Sequence, residues 1–220
     1  MVTEFKNESF TDFSDPKQRP AQQAAIAAVE ASFGTHYPLV IGGQEVRTDR
    51  EIASLNPTCP SQVVGYVSAA STEHAHQAVE AAHRAFAAWS RVAPEARARI
   101  LMRAANIMRR RRMELNAVMI LEAGKTWPEA DGDVAEAIDF CDFYAREALR
   151  YADRQIVTIL PGEDSNLYYI PLGVAVVIPP WNFPLAITTG MTVAALVTGN
   201  TVVLKPASPT PVIAYKLVEV

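Results

Sequence analysis

Two nearby stretches decide how this chain is read: "VAVVIPPWNFPLAI" at Val174–Ile187 and "GNTVVLKPASPTP" at Gly199–Pro211. Val174–Ile178 is a continuous apolar run rich in β-branched residues. Such a run suits a strand of a parallel sheet, buried on both faces. A helix is expected from Pro184 to about Val197, closed by Gly199-Asn200. Thr201–Leu204 reads as a second buried strand, and Thr210-Pro211 opens a further helix that runs on to Val220. The order β-α-β-α is the first half of a doubly wound nucleotide-binding domain, an α/β class in which ligands bind beyond the carboxyl ends of the strands. Asn182 and Lys205 both lie at such ends. Prolines occupy the first strand-to-helix turn where a GxGxxG would stand, so the ordinary dinucleotide fingerprint is excluded there.

Upstream the pattern is different. Asp15-Pro16 is a helix entry, and the Ala-rich run to Phe33 is closed by Gly34. "YPLVIGGQEV" reads as a tight hairpin turning at Gly42-Gly43. "EIASLNP" and "QVVGYVS" alternate as strands, with Cys59 in the loop between them. Four amphipathic helices follow, opening at Ser71, at Pro94, near Leu115 (ending at Gly124) and at Pro128. "QIVTILP" and "NLYYIPLG" read as two strands joined through Gly162–Ser165. The chain divides as an arm and helix (1–36), a helical part of the cofactor domain (37–154), a β-hairpin (155–171) and the first half of the nucleotide-binding unit (172–220).

Half of the 220 residues are apolar, a fifth are charged, and the formal charge is −4. These values describe a globular chain, and the mild acidity argues against nucleic-acid or anionic-membrane partners. The basic run Arg109–Arg112 lies in a helical pattern, where a solvated face is expected. "MVTEFKNESFTDF" has no apolar core and carries acids, so a signal peptide is not expected. No run of about 18 uncharged apolar residues suggests a membrane span. Cys59 and Cys141 form neither a disulfide framework nor a CxxC site, which points to a reducing cytoplasm. Cys141 lies on an apolar helix stripe and reads as an inert buried thiol. His74, His76 and His83 do not converge on a metal, and no metal site is expected.

"IPPWNFPLAI" followed by "GNTVVLKPASPTP" resembles the aldehyde dehydrogenase superfamily. "FTDF", "YPLVIGG", "ILEAGKTWPEADGDVAEAIDFCDFYARE" and "PGEDSNLYYIPLGV" extend the likeness over nearly the whole chain and are most similar to its 1-pyrroline-5-carboxylate dehydrogenase branch. The resemblance implies a two-stage chemistry. A cysteine thiolate attacks an aldehyde, the adduct gives up hydride to a nicotinamide cofactor, and a glutamate-activated water hydrolyses the thioester. Both stages pass through an oxyanion, which calls for fixed donors aimed at the developing charge.

By this match Asn182 is the side-chain donor of the oxyanion hole. Phe183 lines the aldehyde tunnel, and Ile178, Pro179 and Trp181 lie along the nicotinamide. Lys205 bonds the adenosine ribose. Ser208 stands where many NAD-specific relatives carry Glu; a Ser does not repel a 2′-phosphate, so NAD is expected with NADP admitted. Glu122 of "LEAGK" is placed near the substrate entrance, although a helix-end carboxylate is the favoured reading. The hairpin is implied to be an oligomerisation flap, and a homo-oligomer is expected of the complete enzyme.

The family's cysteine and glutamate base belong to segments beyond the second strand. The chain is therefore expected to be the N-terminal portion of a longer enzyme and to be inactive alone. Two alternatives remain open: a portion of another semialdehyde or aliphatic aldehyde dehydrogenase, or a non-catalytic nucleotide-binding or interaction remnant.

Overall fold

The computed structural model describes residues 4–158 and 160–220. In chain order the elements are α1 (Gln18–Glu30), β1 (Thr35–Tyr37), β2 (Leu39–Ile41), β3 (Gln44–Val46), β4 (Glu51–Asn56) and β5 (Cys59–Ser68). They continue with α2 (Thr72–Trp89), α3 (Pro94–Arg110), α4 (Arg112–Ala123), α5 (Trp127–Ala152), β6 (Gln155–Thr158) and β7 (Ser165–Leu167). The last four are β8 (Val174–Val177), α6 (Ala186–Val197), β9 (Thr201–Leu204) and α7 (Pro211–Val218).

Local chemistry starts and stops these helices. The Ser71 hydroxyl accepts the His74 N–H, and the His74 ring accepts the Ser71 N–H, closing a capping box on α2. Thr126 and Glu129 do the same for α5, with Pro128 in its first turn. Gly124, at φ 67°, ends α4 in the left-handed region, where any side chain is strained.

Strand β8 pairs with β9 in parallel, Val174 opposite Thr201 through Val177 opposite Leu204, and α6 is the crossover between them. This is the β-α-β unit expected from the sequence. Asn200 holds its entry: the side-chain oxygen accepts the N–H groups of Leu172 (2.6 Å) and Gly173 (3.0 Å). The Thr201 hydroxyl ties β9 to α2 by donating to the Ala82 carbonyl at 2.9 Å. A second sheet has the order β1-β5-β4, with β1 parallel and β4 antiparallel to β5, and β2-β3 is the hairpin that turns at Gly42-Gly43. The core lies among the helices: Met108, Leu115, Met119, Ile138, Leu185 and Ile213 are fully buried.

Several expectations are corrected. Helix α1 begins at Gln18 rather than at Pro16, because residues 13–17 form turns, and it ends at Glu30, before Gly34. Helix α4 begins at Arg112, and α7 stops at Val218. Cys59 opens β5 and pairs with Asn56, so the loop is only Pro57-Thr58. In the hairpin, β7 covers only Ser165–Leu167, and the residues after it are not strand; Ile159 of "QIVTILP" lies outside the described residues. Strand β8 ends at Val177 and is not covered on both faces: Val176 is 58% exposed and Ile178 60%. Helices α2 and α6 pack against this two-stranded sheet, and among the described residues no further strand extends it.

In the basic run Arg110 is exposed, but the other three arginines are paired rather than simply solvated. Arg109 donates to Glu8 and Asp142, and Arg111 to Glu114 and Glu219. Arg112 grips the buried Asp131 with two bonds of 2.6 Å. Asp131 also accepts the Thr11 N–H and hydroxyl at 2.7 Å, so one buried carboxylate joins the N-terminal arm to α4 and α5. Periodicity reveals a polar stripe but not the arm that covers it.

Candidate functional site

The turn Ile178–Pro184 leaves the carboxyl end of β8 and delivers the chain to α6. Pro179 and Pro184 are buried, while Trp181, Asn182 and Phe183 face outward. Proline fixes φ near −65°, so three prolines in seven residues restrict the backbone that carries Asn182.

Helix α6 has no side-chain cap from Leu185, the residue that precedes it. Its first amides need an acceptor, and a distant residue supplies one. The Asp133 side chain, on α5 and 0% exposed, accepts the Ala186 N–H at 2.6 Å and is also bonded by the Leu185 amide. A carboxylate at a helix N-terminus is favoured by the helix dipole. Lys125 completes the arrangement. Its Nζ lies 2.9 Å from Asp133 Oδ2 and 4.3 Å from the centre of the Phe183 ring. The ammonium reaches this place because the left-handed Gly124 turns the chain sharply after α4. Burial pushes the Asp133 carboxyl above its usual value, and the Lys125 ion pair and the two amides pull it back part of the way.

The other end of α6 is also held. Arg97, itself buried, donates Nε to the Val197 carbonyl at 2.8 Å, and Trp89 Nε1 donates to the Leu196 carbonyl at 3.0 Å. Between the ends, Gly190 lies against Phe140 of α5: a Cβ built there would be 2.9–3.0 Å from ring atoms. An acid at its start, a cation at its finish and close contact at mid-length fix α6, and hence the turn it carries.

Trp181, Asn182 and Phe183 form one wall of a groove of about 740 Å³. Lys125 and Glu136 from α4–α5 and Glu8 and Phe10 of the arm also line it. The neutral Asn182 amide is thus presented to an open space beside an aromatic ring. It can donate a hydrogen bond to a developing anion without itself titrating.

Lys205 follows β9, and its backbone N–H donates to the Val177 carbonyl at 2.9 Å. Because β8 and β9 are parallel, Lys205 and the proline turn leave the sheet at the same end. The Lys205 and Ser208 side chains are exposed, and among the described residues Lys205 makes no ion pair. An unpaired donor beyond a strand's carboxyl end fits the hydroxyls of a nucleotide ribose. Ile178 and Pro179 begin the neighbouring turn. The structure therefore groups Trp181, Asn182 and Phe183 on the groove, with Lys205 and Ser208 outside its lining.

Glu122 is elsewhere. It is 3% exposed. Its carboxylate accepts the Ser54 hydroxyl at 2.6 Å and the N–H groups of Val212 and Ile213 at 2.7 and 2.9 Å. It caps α7 and joins that helix to β4. Burial raises its pKa from 4.5 to about 7 against the pull of these three donors. Cys141 is wholly buried, with its thiol pushed up to about 12 by desolvation, as its apolar stripe led us to expect. No group of three or more metal-ligating side chains occurs among the described residues.

Reading the sequence did not identify Asp133, Lys125 or Arg97. One signal was present: Asp133 shares a helix face with Ala130 and Ala137, and an acid on an apolar face must find a partner or a proton.

The fold and this groove define a class, and comparison with known proteins names it. Residues 45–220 match the model of the aldehyde dehydrogenase family. The chain belongs to that family. It is 55% identical to 1-pyrroline-5-carboxylate dehydrogenase of Geobacillus sp. (strain WCH70), over the whole of this chain and 43% of that protein. It superimposes on 1-pyrroline-5-carboxylate dehydrogenase from Thermus with bound NAD at a TM-score of 0.95 and 48% identity, covering 99% of this chain and 42% of the other. Proline utilization A from Bdellovibrio bacteriovorus gives a TM-score of 0.97 at 43% identity, covering 98% of this chain and 22% of that one. The chain thus spans less than half the length of the relatives it matches.

Proposed function

We propose that this chain is the N-terminal portion of an NAD-dependent dehydrogenase that oxidises L-glutamate γ-semialdehyde to L-glutamate in proline catabolism. The observation that carries the reading is the exposed Asn182 amide, on the wall of a groove and in a proline-rich turn that leads into a clamped helix. The chain's identity to 1-pyrroline-5-carboxylate dehydrogenases along its whole length supports it. In this reading the nucleophilic cysteine and the glutamate base belong to the part of the enzyme outside these residues.

Asn182 donates to the carbonyl oxygen as the thiolate adds and the oxygen takes on negative charge. Pre-positioned amides do this without reorganisation, which is why one such donor is worth about 10²–10³ in rate. Phe183 lines the passage by which the aldehyde enters, and its ring is kept in place beside Lys125. Lys205 and Ser208 hold the adenosine ribose, and Ile178, Pro179 and Trp181 border the nicotinamide. NAD, when bound, accepts the hydride. NADP is admitted because Ser208 presents no charge against a 2′-phosphate. The complete enzyme is proposed to be a cytoplasmic homo-oligomer assembled through the 155–171 hairpin. Among the described residues no helix is long and apolar enough to cross a membrane.

The test is substrate preference in the complete enzyme expressed from the coding sequence that contains this chain. Steady-state kcat/KM is expected to be highest for glutamate γ-semialdehyde among a panel of aldehydes. A higher value for succinate semialdehyde or acetaldehyde would replace this substrate with another.

A further inference from the structure

We infer that Asp133, braced by Lys125, is the positioning residue for Asn182: the pair sets where the Asn182 amide points by holding the first turn of α6. The inference rests on the reading of Asn182 as an oxyanion donor and adds residues that never touch the substrate's reacting atoms.

Three observations carry it. First, Asp133 is fully buried, yet its carboxylate is spent on the amides where the Asn182 turn becomes helix, with the Ala186 bond at 2.6 Å. Ala186 is four residues from Asn182, so this bond anchors the turn at its downstream end. Second, the ammonium that neutralises Asp133 is the one beside the Phe183 ring, 4.3 Å from its centre. Phe183 adjoins Asn182, so a single ion pair restrains the turn through a backbone amide and through a side chain. Third, α6 cannot drift along its axis, because Arg97 holds the Val197 carbonyl and Gly190 abuts Phe140. Movement in this unit is therefore left to its first turn, where Asp133 acts.

The chemistry favours a carboxylate over an amide at 133. A carboxylate offers two acceptor oxygens and no donor, so it can take two helix amides and an ammonium together. An Asn would place donors toward an amide or toward Lys125, and would leave the ammonium without its counter-charge. The turn would then relax by a fraction of an ångström to an ångström. Misplacement on that scale costs up to about 10²-fold in rate when it moves a catalytic donor.

The experiment is a double-mutant cycle in the complete enzyme with a chemistry-limited aldehyde. Asp133→Asn is expected to lower kcat by about 10²-fold with little change in KM, and Asn182→Ala by about 10²–10³-fold. If Asp133 acts through Asn182, the double variant is no slower than Asn182→Ala alone. Independent action would multiply the losses to about 10⁴–10⁵. Additive losses overturn the proposal, as does a normal kcat in Asp133→Asn.

A purely structural role would lower the melting temperature equally in both backgrounds but would not cancel in kcat. Hydrogen exchange of residues 181–187 supplies a second readout. Asp133→Asn should speed exchange at Leu185 and Ala186, and unchanged exchange there overturns the clamp whatever the kinetics. Should Asp133→Asn fail to fold, Lys125→Met removes the brace and keeps the carboxyl. It is expected to show the same non-additivity with Asn182→Ala, and its absence counts against the pair. A normal kcat in Asn182→Ala would remove the oxyanion reading, while altered exchange in Asp133→Asn would still show the clamp, so the two failures are distinguishable.

Discussion

Asn182, the proposed oxyanion donor, depends on more than its own side chain. Three prolines restrict the turn that carries it, and the buried Asp133 accepts the Ala186 amide where that turn becomes helix. Asn182→Ala is expected to reduce kcat of the complete enzyme by about 10²–10³ while KM moves much less, because the donor is stronger in the transition state than in the ground state. Asn182→Asp should be at least as harmful, since it sets a negative charge beside a forming one. A normal kcat with a chemistry-limited substrate would leave the motif as a turn and no more.

At the cofactor end, Lys205→Ala is expected to weaken NAD binding by about 1.5–3 kcal/mol, the worth of hydrogen bonds from a charged donor. Ser208→Glu should depress NADP use more than NAD use, by repelling the 2′-phosphate. Titrations showing equal losses for both cofactors would place Ser208 away from the 2′ position.

Glu122 is the residue whose pH dependence is most distinctive. Its folded pKa of about 7 exceeds the usual 4.5, so between these values the folded chain holds more protons than the unfolded one. The contribution is fully present below pH 4.5 and is lost as pH rises through about 7. At about 1.4 kcal/mol for each tenfold change in proton affinity, the loss is about 3 kcal/mol. Glu122→Gln removes this titration, so its urea-unfolding free energy should fall less than the parent's from pH 5 to pH 8. Parallel declines would show that Glu122 does not titrate in this window.

At the scale of elements, α6 has two neighbours that matter most. Asp133 comes from α5 and Arg97 from α3, and the Gly190–Phe140 contact sets the α5–α6 distance. Gly190→Ala tests that contact. Helix propensity alone predicts a gain of about 0.8–1.0 kcal/mol. The added Cβ, however, would lie 2.9–3.0 Å from the Phe140 ring, and overpacking of this kind costs about 1–3 kcal/mol. Overpacking is expected to win because three Phe140 ring atoms lie within 3.0 Å of the added Cβ and the partly buried ring packs against the core. Denaturant titration should find the variant less stable than the parent; a stabilised variant would mean that the ring shifts freely.

At the scale of the molecule, the exposed apolar surface is concentrated. Val176 and Ile178, two residues apart at the end of β8, are exposed, and Tyr169, Ile170 and Leu172 follow the hairpin, Leu172 at 94% exposure. Unpaired strand edges and contiguous apolar patches promote association. The 220-residue chain alone is therefore expected to sediment as species larger than a monomer. A monodisperse, cooperatively melting monomer would count against this. In the complete enzyme, Tyr169→Ser with Ile170→Ser should shift assembly toward smaller species, as measured by sedimentation.

Where the answer is local, the sequence alone determined it. The β-α-β-α order, the helix starts at Ser71 and Pro94, the end at Gly124 and the Gly42-Gly43 turn follow from backbone constraints and short-range periodicity, which act within a few residues. Asn182 and Lys205 were legible as residues at strand ends, and the resemblance of their motifs to a known family implied their roles as donors. Only the tertiary structure assigned partners to the charges. Arg109–Arg112 read as a solvated face until the arm lay against it. An ion pair across long sequence separations leaves no periodic trace, since its energy depends on distance and burial. Both are properties of the folded chain.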